Sequence, residues 1–246
     1  MKLMQSLLLF FRCLILSLLL LGTLSLADTS VSGNRYSRKP ASSHGIGKQY
    51  MGREIAGVMG WHGAAWLERQ ERNTEERTDL LLATLKLQPG MVVADIGAGT
   101  GYLARQIAPA VIPGGKIWAV DIQPEMVRLL QENIKRSGLL HIETQLSSVD
   151  DVKLPPGSID LAIMMDVYHE LSHPYEFMTS VMKALKPKGR IVFVEFKAED
   201  PTVPIIPLHK MSELQITREA SIFNLDKEAT IASLPWQHVI IFRKRD

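Results

Sequence analysis

The segment that most constrains the fold runs from Val92 to Ala104, where a short apolar run breaks at three glycines and continues as a helical pattern. Gly97, Gly99 and Gly101 stand at alternate positions, and glycine permits backbone conformations and close ligand approaches that other residues do not. The spacing is G-x-G-x-G, whereas the dinucleotide fingerprint is G-x-G-x-x-G, and Tyr102 stands where its last glycine belongs. The segment predicts a strand, a turn and a helix that hold a cofactor other than NAD or FAD.

A second unit follows about 20 residues later, at the distance where such folds bind ribose hydroxyls. It is the apolar run from Lys116 to Asp121, which ends in a carboxylate able to accept two hydroxyl hydrogens. Taken alone, a glycine turn is often only a tight connection, and a strand-terminal aspartate is often a helix cap or a solvated residue. The two units in this order favour a cofactor site.

Three stretches between Thr74 and Phe196 resemble the class I S-adenosylmethionine-dependent methyltransferases: D-I-G-A-G-T-G-Y, A-V-D-I-Q-P-E-M and L-K-P-K-G-R-I-V-F-V-E. The resemblance implies an α/β fold, a Rossmann-like doubly wound sheet of seven strands. The sheet would be mostly parallel, with an antiparallel C-terminal strand and helices on both faces.

The same resemblance implies S-adenosyl-L-methionine as the cofactor. Asp121 would take the ribose hydroxyls and Ile122 would pack against adenine. Ser148 stands where many relatives place an acid for the adenine amino group. The predicted cofactor-binding residues are Asp95, Gly97, Ala98, Gly99, Gly101, Asp121, Ile122, Ser148, Val149 and Asp166.

Alternating apolar runs and helical patterns are typical of a doubly wound sheet. A capping box at Asn73 to Glu76 predicts a helix through Leu87. Further helices are predicted over 100–108, 124–137 and 174–186, and strands over 142–146, 159–165, 190–196, 224–232 and 237–243.

Chemistry is predicted after the strand that ends at Met165. His169 is the predicted base, since a histidine pKa of about 6.5 lies near working pH. Tyr168 is predicted to orient the acceptor, and Asp166 to meet the methionine ammonium or the substrate. The alternative is that Tyr168 and His169 pack under a loop. His209 is a second candidate base, and no metal site is predicted.

The first 27 residues differ in composition from the rest. A leucine-rich run from Cys13 to Leu26 follows Arg12, and small residues stand at the cleavage positions before Asp28. This pattern predicts a secretory signal peptide that ends at Ala27 and an exported protein, periplasmic or extracellular. The rival is an uncleaved membrane anchor, although about 14 residues fall short of the roughly 20 that a span needs. Residues 28–49 are predicted to be a flexible linker, 50–73 lid or cap helices, and 74–246 the methyltransferase domain.

Charge and cysteine content narrow the function. The net charge is +2, and no basic cluster interleaves with aromatic residues, so a nucleic-acid partner is not indicated. Cys13 is the only cysteine, which excludes a catalytic thiol after cleavage at Ala27.

These features predict a methyltransferase acting on a small-molecule acceptor, with membrane contact only through an uncleaved N-terminus. The alternative is an exported nucleoside- or small-molecule-binding protein with the same fold and no transfer activity. A nicotinamide dehydrogenase is disfavoured by the glycine spacing.

Overall fold

The structure is a computed structural model that describes residues 35–246. The predicted signal segment, 1–27, and the start of the predicted linker lie outside the described residues. A three-stranded antiparallel sheet comes first: β1 (Tyr36–Arg38), β2 (Gly45–Tyr50) and β3 (Arg53–Ala56). Among the described residues, no helix combines the length and the apolar character needed to cross a bilayer.

Helices and strands then alternate along the chain. The helices are α1 (Ala64–Leu67), α2 (Arg72–Glu76), α3 (Thr78–Leu85), α4 (Tyr102–Val111), α5 (Pro124–Ser137), α6 (Pro174–Ala184) and α7 (Glu213–Ala220). The strands are β4 (Val92–Ile96), β5 (Lys116–Asp121), β6 (Ile142–Leu146), β7 (Ile159–Met165), β8 (Leu185–Phe196), β9 (Leu225–Ile231) and β10 (Gln237–Lys244).

These seven strands form one sheet in the order β6-β5-β4-β7-β8-β10-β9. β10 is antiparallel to both of its neighbours, and the pairs from β6 to β8 are parallel. The predicted mostly parallel sheet of seven strands is therefore confirmed. The chain leaves β4 towards β5 on one side and returns to β7 on the other, and ligands bind at such a reversal in open α/β sheets.

Alternate residues of the central strands enter two different cores, because successive side chains of a strand point to opposite faces. Val93 and Leu161 pack with helices α3, α4 and α5 on one face. Ala94 and Ala162 pack with helices α6 and α7 on the other. The helices on both faces hold the carboxyl ends of β4, β5 and β7 at one edge.

The prediction of a flexible linker is wrong for its described part, because β1 and most of β2 lie within 35–49. Tertiary contacts hold this segment: the Tyr36 hydroxyl donates to Glu176 of α6 at 2.5 Å, and the Lys48 ammonium lies 3.8 Å from the Tyr36 ring centroid. The next predicted segment, 50–73, contains strand β3 as well as short helices.

Several predicted boundaries also need correction. The capping box is wrong, because Asn73 lies inside α2, whose N-cap is Glu71. The single helix predicted through Leu87 is also wrong, because Arg77 takes a left-handed conformation (φ 48°) and separates α2 from α3. The helix predicted over 100–108 is shifted to 102–111, and the helix predicted to reach Lys186 ends at Ala184, where β8 begins. Helix α5 and strands β6 and β7 match their predicted bounds.

Candidate active site

A cavity of about 520 Å³ lies at the carboxyl edge of β4, β5 and β7. This volume falls within the range of about 300–1,000 Å³ typical of small-molecule pockets. Its wall is contributed by the ends of these strands and by segments 58–72, 147–149 and 204–209. The strand ends that the sequence marked as chemically important therefore meet in one place.

The glycine turn after β4 forms part of the wall. Gly97 and Gly99 line the cavity in left-handed conformations, with φ of 71° and 56°. A Cβ at Gly97 would lie 2.3 Å from Val167 Cγ2, and one at Gly99 would lie 2.7 Å from Leu67 Cδ1, so a side chain at either position would displace a neighbour and would also be strained by the positive φ. Gly101 begins α4 (φ 83°) and, like buried Ala98, is not among the residues that line the cavity.

Asp121 lies at the end of β5 and also lines the cavity. Its Oδ2 accepts the Gly99 N–H at 3.0 Å and its Oδ1 accepts the Gln123 N–H at 2.9 Å. Burial raises the pKa of Asp121, and these two backbone donors oppose the increase. Each carboxylate oxygen keeps a lone pair for a ligand, so Asp121 can join the glycine turn to a bound hydroxyl.

The wall beside Asp121 suits a flat apolar group. Ile122, Val149 and Ser148 all line the cavity. The Ser148 hydroxyl donates to Asp150 Oδ1 at 2.8 Å, which leaves its oxygen as an acceptor towards the cavity. The structure thus brings together Ile122 and Ser148, the two residues predicted to contact adenine, and Val149, which was predicted to bind the cofactor.

Two further aspartates lie at the strand ends, Asp166 half-buried and Asp95 buried. Asp166 lines the cavity; its Oδ2 accepts from Gln237 Nε2 at 3.1 Å, and its Oδ1 is buried without a partner. Asp95 is 2% exposed and is not among the residues that line the cavity, and its Oδ2 is buried without a partner. Burial raises the pKa of Asp95 to about 7, and burial together with the charges of Glu76 and Glu195 raises the pKa of Asp166 well above its ordinary value.

His169 reaches the cavity although it is only 2% exposed. Its Nδ1 lies 2.6 Å from Glu195 Oε2, and its Nε2 lies 3.1 Å from Nδ1 of His209. Burial lowers the pKa of His169, but the charge and hydrogen bond of Glu195 outweigh it, so the net pKa is raised. Its role as a base stays a prediction.

Tyr168 is placed differently from its prediction. The ring is 1% exposed, packs edge-on against Phe193 at 4.9 Å between centroids, and is not among the residues that line the cavity. The position of Tyr168 does not fit its predicted role of orienting an acceptor, because the 3-10 helix Tyr168–Glu170 turns its side chain into the core. The alternative of packing under a loop describes Tyr168.

Sequence reasoning missed three polar residues beside the site: Glu195, Gln237 and Arg72. Glu195 and Gln237 are both 0% exposed. The position of Glu195, a charged residue inside the apolar run of β8, was the only sequence feature that could have indicated a role in the site. Arg72 lines the cavity and pairs with Glu76 at 2.8 Å, a contact that no motif indicated.

Comparison with known proteins agrees with this architecture. Residues 93–189 match the family described as "Methyltransferase domain". The ubiquinone/menaquinone biosynthesis C-methyltransferase UbiE of Bordetella parapertussis is 30% identical over 119 residues, which is 48% of this chain and 46% of that protein. The UbiE protein of Laribacter hongkongensis is 26% identical over 136 residues, 55% of each chain. The chain thus spans about half the length of the curated relatives it matches.

A solved structure shows the same fold and covers a larger part of the chain than the curated relatives do. A SAM-dependent methyltransferase from Aquifex aeolicus superimposes with a TM-score of 0.72 at 22% identity, covering 76% of this chain and 99% of that one. The match supports the fold.

Proposed function

We propose that this chain, whose residues 93–189 match a methyltransferase domain and whose fold is that of a SAM-dependent methyltransferase, transfers the methyl group of S-adenosylmethionine to a small-molecule acceptor. When bound, this cofactor supplies a methyl carbon on a positively charged sulfur, and transfer breaks the carbon–sulfur bond with its electron pair going to sulfur.

The observation that carries the proposal is the charge of the site. Asp121 and half-buried Asp166 line the cavity, Asp95 is buried at the same sheet edge, and none of the three forms an ion pair with another residue in the described part of the chain. Arg72, the one Lys or Arg side chain in the wall, already pairs with Glu76. Such a site suits a ligand with an ammonium and a sulfonium, and it opposes the pyrophosphate of a dinucleotide.

The residues fit the parts of this cofactor. The glycine turn allows close backbone approach, and Asp121 offers acceptors to the ribose hydroxyls. Ile122 and Val149 offer an apolar surface to adenine, and the unpartnered oxygen of Asp166 can accept from the methionine ammonium. The chain's contribution is to hold the donor in line with the acceptor, which supplies most of the rate in such a displacement.

The rest of the cavity indicates what kind of acceptor it can bind. The lining residues not assigned to the cofactor are largely apolar and include Trp66, Leu171, Phe177, Ile205 and Ile206, with His169, Glu170 and His209 among the polar groups. We infer an acceptor with a hydrophobic body and one ionisable group directed at the histidines.

Calorimetric titration of the full chain with S-adenosylmethionine, S-adenosylhomocysteine and NADH tests the cofactor. We expect micromolar binding of both sulfur nucleosides and none of NADH. No binding of S-adenosylmethionine to the folded chain, or binding of NADH instead, contradicts the proposal.

An Asp166→Asn variant sharpens this test. It should weaken S-adenosylmethionine binding by about 1.5–3 kcal/mol, the range for a hydrogen bond to a charged group. Binding of 5′-methylthioadenosine, which lacks the ammonium, should not change. Asp160→Asn is the matched control, because Asp160 lies at the opposite end of β7 and pairs with Lys186. Equal losses for both ligands would show that Asp166 only shapes the site.

We also propose that the protein is exported by its first 27 residues. The leucine-rich run and the small residues before Asp28 support this. Intact mass of the chain recovered from the periplasm or medium is expected to begin at Asp28, whereas a full-length chain in the membrane fraction would favour the anchor.

A further inference from the structure

We propose that His169, Glu170 and His209 form a binding site for one divalent transition-metal ion of the Zn²⁺ type on the acceptor side of the cavity. No metal site is predicted from the sequence, because two of the ligands are adjacent and the third lies 39 residues later on another loop. The site replaces the role of base predicted for His169, since its free ring nitrogen becomes a ligand.

The distances between donor atoms support the site. His169 Nε2 lies 3.1 Å from His209 Nδ1, His209 Nδ1 lies 3.2 Å from Glu170 Oε1, and His169 Nε2 lies 3.7 Å from the same oxygen. Zinc bonds of about 2.0–2.1 Å at tetrahedral angles place donors about 3.3 Å apart. The three atoms therefore form a face that one ion can cap.

Glu195 fixes the form of His169 that a metal requires. Its Oε2 lies 2.6 Å from His169 Nδ1, and its Oε1 accepts the Tyr168 N–H at 2.8 Å, so the carboxylate cannot swing away. A proton held on Nδ1 leaves the Nε2 lone pair directed at the other two donors. A carboxylate that binds the second nitrogen of a histidine ligand is the usual partner of a protein zinc site.

The charge balance of the cluster also favours a cation. Glu195 is 0% exposed and Glu170 is largely buried, with its side chain 14% exposed. Within residues 35–246, the ion pairs of both carboxylates involve histidines and no Lys or Arg side chain. Buried carboxylates without such partners are costly, and a divalent ion offsets two of them.

Local structure holds the ligands on two short helices. His169 and Glu170 lie on the 3-10 helix that follows β7, and His209 ends the 3-10 helix Pro207–His209. The Met59 N–H donates to Glu170 Oε1 at 3.2 Å, and Arg53 Nη1 donates to the His169 carbonyl at 3.0 Å. These contacts fix both ligands before any ion binds.

The site has an open side. All three ligands line the cavity, so a fourth position faces the space for the acceptor. Two histidines, one glutamate and an open position are a ligand set of catalytic zinc.

The part that the metal plays in catalysis rests on the proposed function. An acceptor hydroxyl at the open position would have its pKa lowered by the cation and would lose its proton to solvent. The oxygen then forms the bond to the methyl carbon as the carbon–sulfur bond breaks.

Titration of the full chain, produced without a histidine tag and stripped with a chelator, tests the site. Zn²⁺ is followed by calorimetry and Co²⁺ by its visible absorption. We expect one ion per chain, with affinity reduced at least about tenfold in His209→Ala and in Glu170→Gln. The control is His62→Ala, because His62 stacks on Trp61 outside the cavity wall; its affinity should not change.

The site is overturned if the stripped chain takes up no stoichiometric zinc, or if either ligand variant keeps the parent affinity. Circular dichroism of each variant establishes that it is folded. S-adenosylhomocysteine binding by the same samples separates the two proposals. If the chain binds the nucleoside but no metal, the metal site alone is refuted. If it binds the metal but no nucleoside, the proposed function alone is refuted.

Discussion

Replacing Asp121 by alanine tests the cofactor site at its most defined contact. The carboxylate accepts two backbone N–H groups, from Gly99 at 3.0 Å and from Gln123 at 2.9 Å, and lies in the cavity wall. Loss of a hydrogen bond to a charged group reduces binding by about 1.5–3 kcal/mol. We therefore expect S-adenosylhomocysteine to bind roughly 10- to 150-fold more weakly.

The same substitution also removes both supports of the glycine turn, so weaker binding alone does not identify a ribose contact. A double-mutant cycle separates the two effects. The second change is made in the ligand, by an S-adenosylhomocysteine analogue that lacks both ribose hydroxyls. If Asp121 holds the ribose, the substitution should weaken the parent ligand far more than the analogue.

Calorimetry of both proteins with both ligands gives the coupling energy. Asp226→Ala is the control, because Asp226 is exposed, far along the chain in β9, and pairs only with Arg245. A coupling energy near zero would refute the ribose contact and leave Asp121 as a support of the turn. Unchanged affinity for the parent ligand would remove Asp121 from the site altogether.

Two further predictions follow from buried groups. Because burial raises the pKa of Asp95 to about 7, this carboxyl favours the folded state below pH 4 and loses that contribution as the pH rises to 7. Urea unfolding should therefore show the free energy of unfolding of the parent falling relative to that of Asp95→Asn, by at most about 1.4 kcal/mol per pH unit. If the two proteins show the same dependence on pH, the raised pKa is contradicted. Tyr168→Phe removes a hydrogen bond to Glu219 and should lower the free energy of unfolding by about 1 kcal/mol. The rate of methyl transfer should not change. A large fall in kcat in a folded variant would show that Tyr168 acts in the active site.

The sheet was predictable because its strands have clear local signals. β4 and β7 are largely apolar runs bounded by turn residues, and Pro124 and Gly138 mark both ends of α5. The N-terminal sheet lacks such signals. Its residues are mostly polar or small, and contacts with distant parts of the chain hold it, such as Tyr36 with Glu176.

The residues of the site likewise include some that were predictable from the sequence and some that were not. Asp121 and Gly97 were predictable because each stands at the end of an apolar run. The partner of His169 was not, since Glu195 lies 26 residues away in the neighbouring strand and only the parallel pairing of β7 with β8 brings them together. The opposite directions of Tyr168 and His169 depend on a single helical turn, which periodicity does not resolve.

The place of β10 in the sheet affects the order in which the protein can assemble. This strand is inserted between β8 and β9, although both precede it in the sequence. A growing chain that has emerged only as far as Pro235 has the open edge of β8 exposed, including the backbone of Val192 and Val194 that later pairs with Ile241 and Val239. Unpaired edges of this kind invite pairing with other chains. Translation of β10, rather than of the glycine turn after β4, is thus the step after which the sheet can close. A chaperone that shields the edge of β8 would act after β8 is translated and before β10 is.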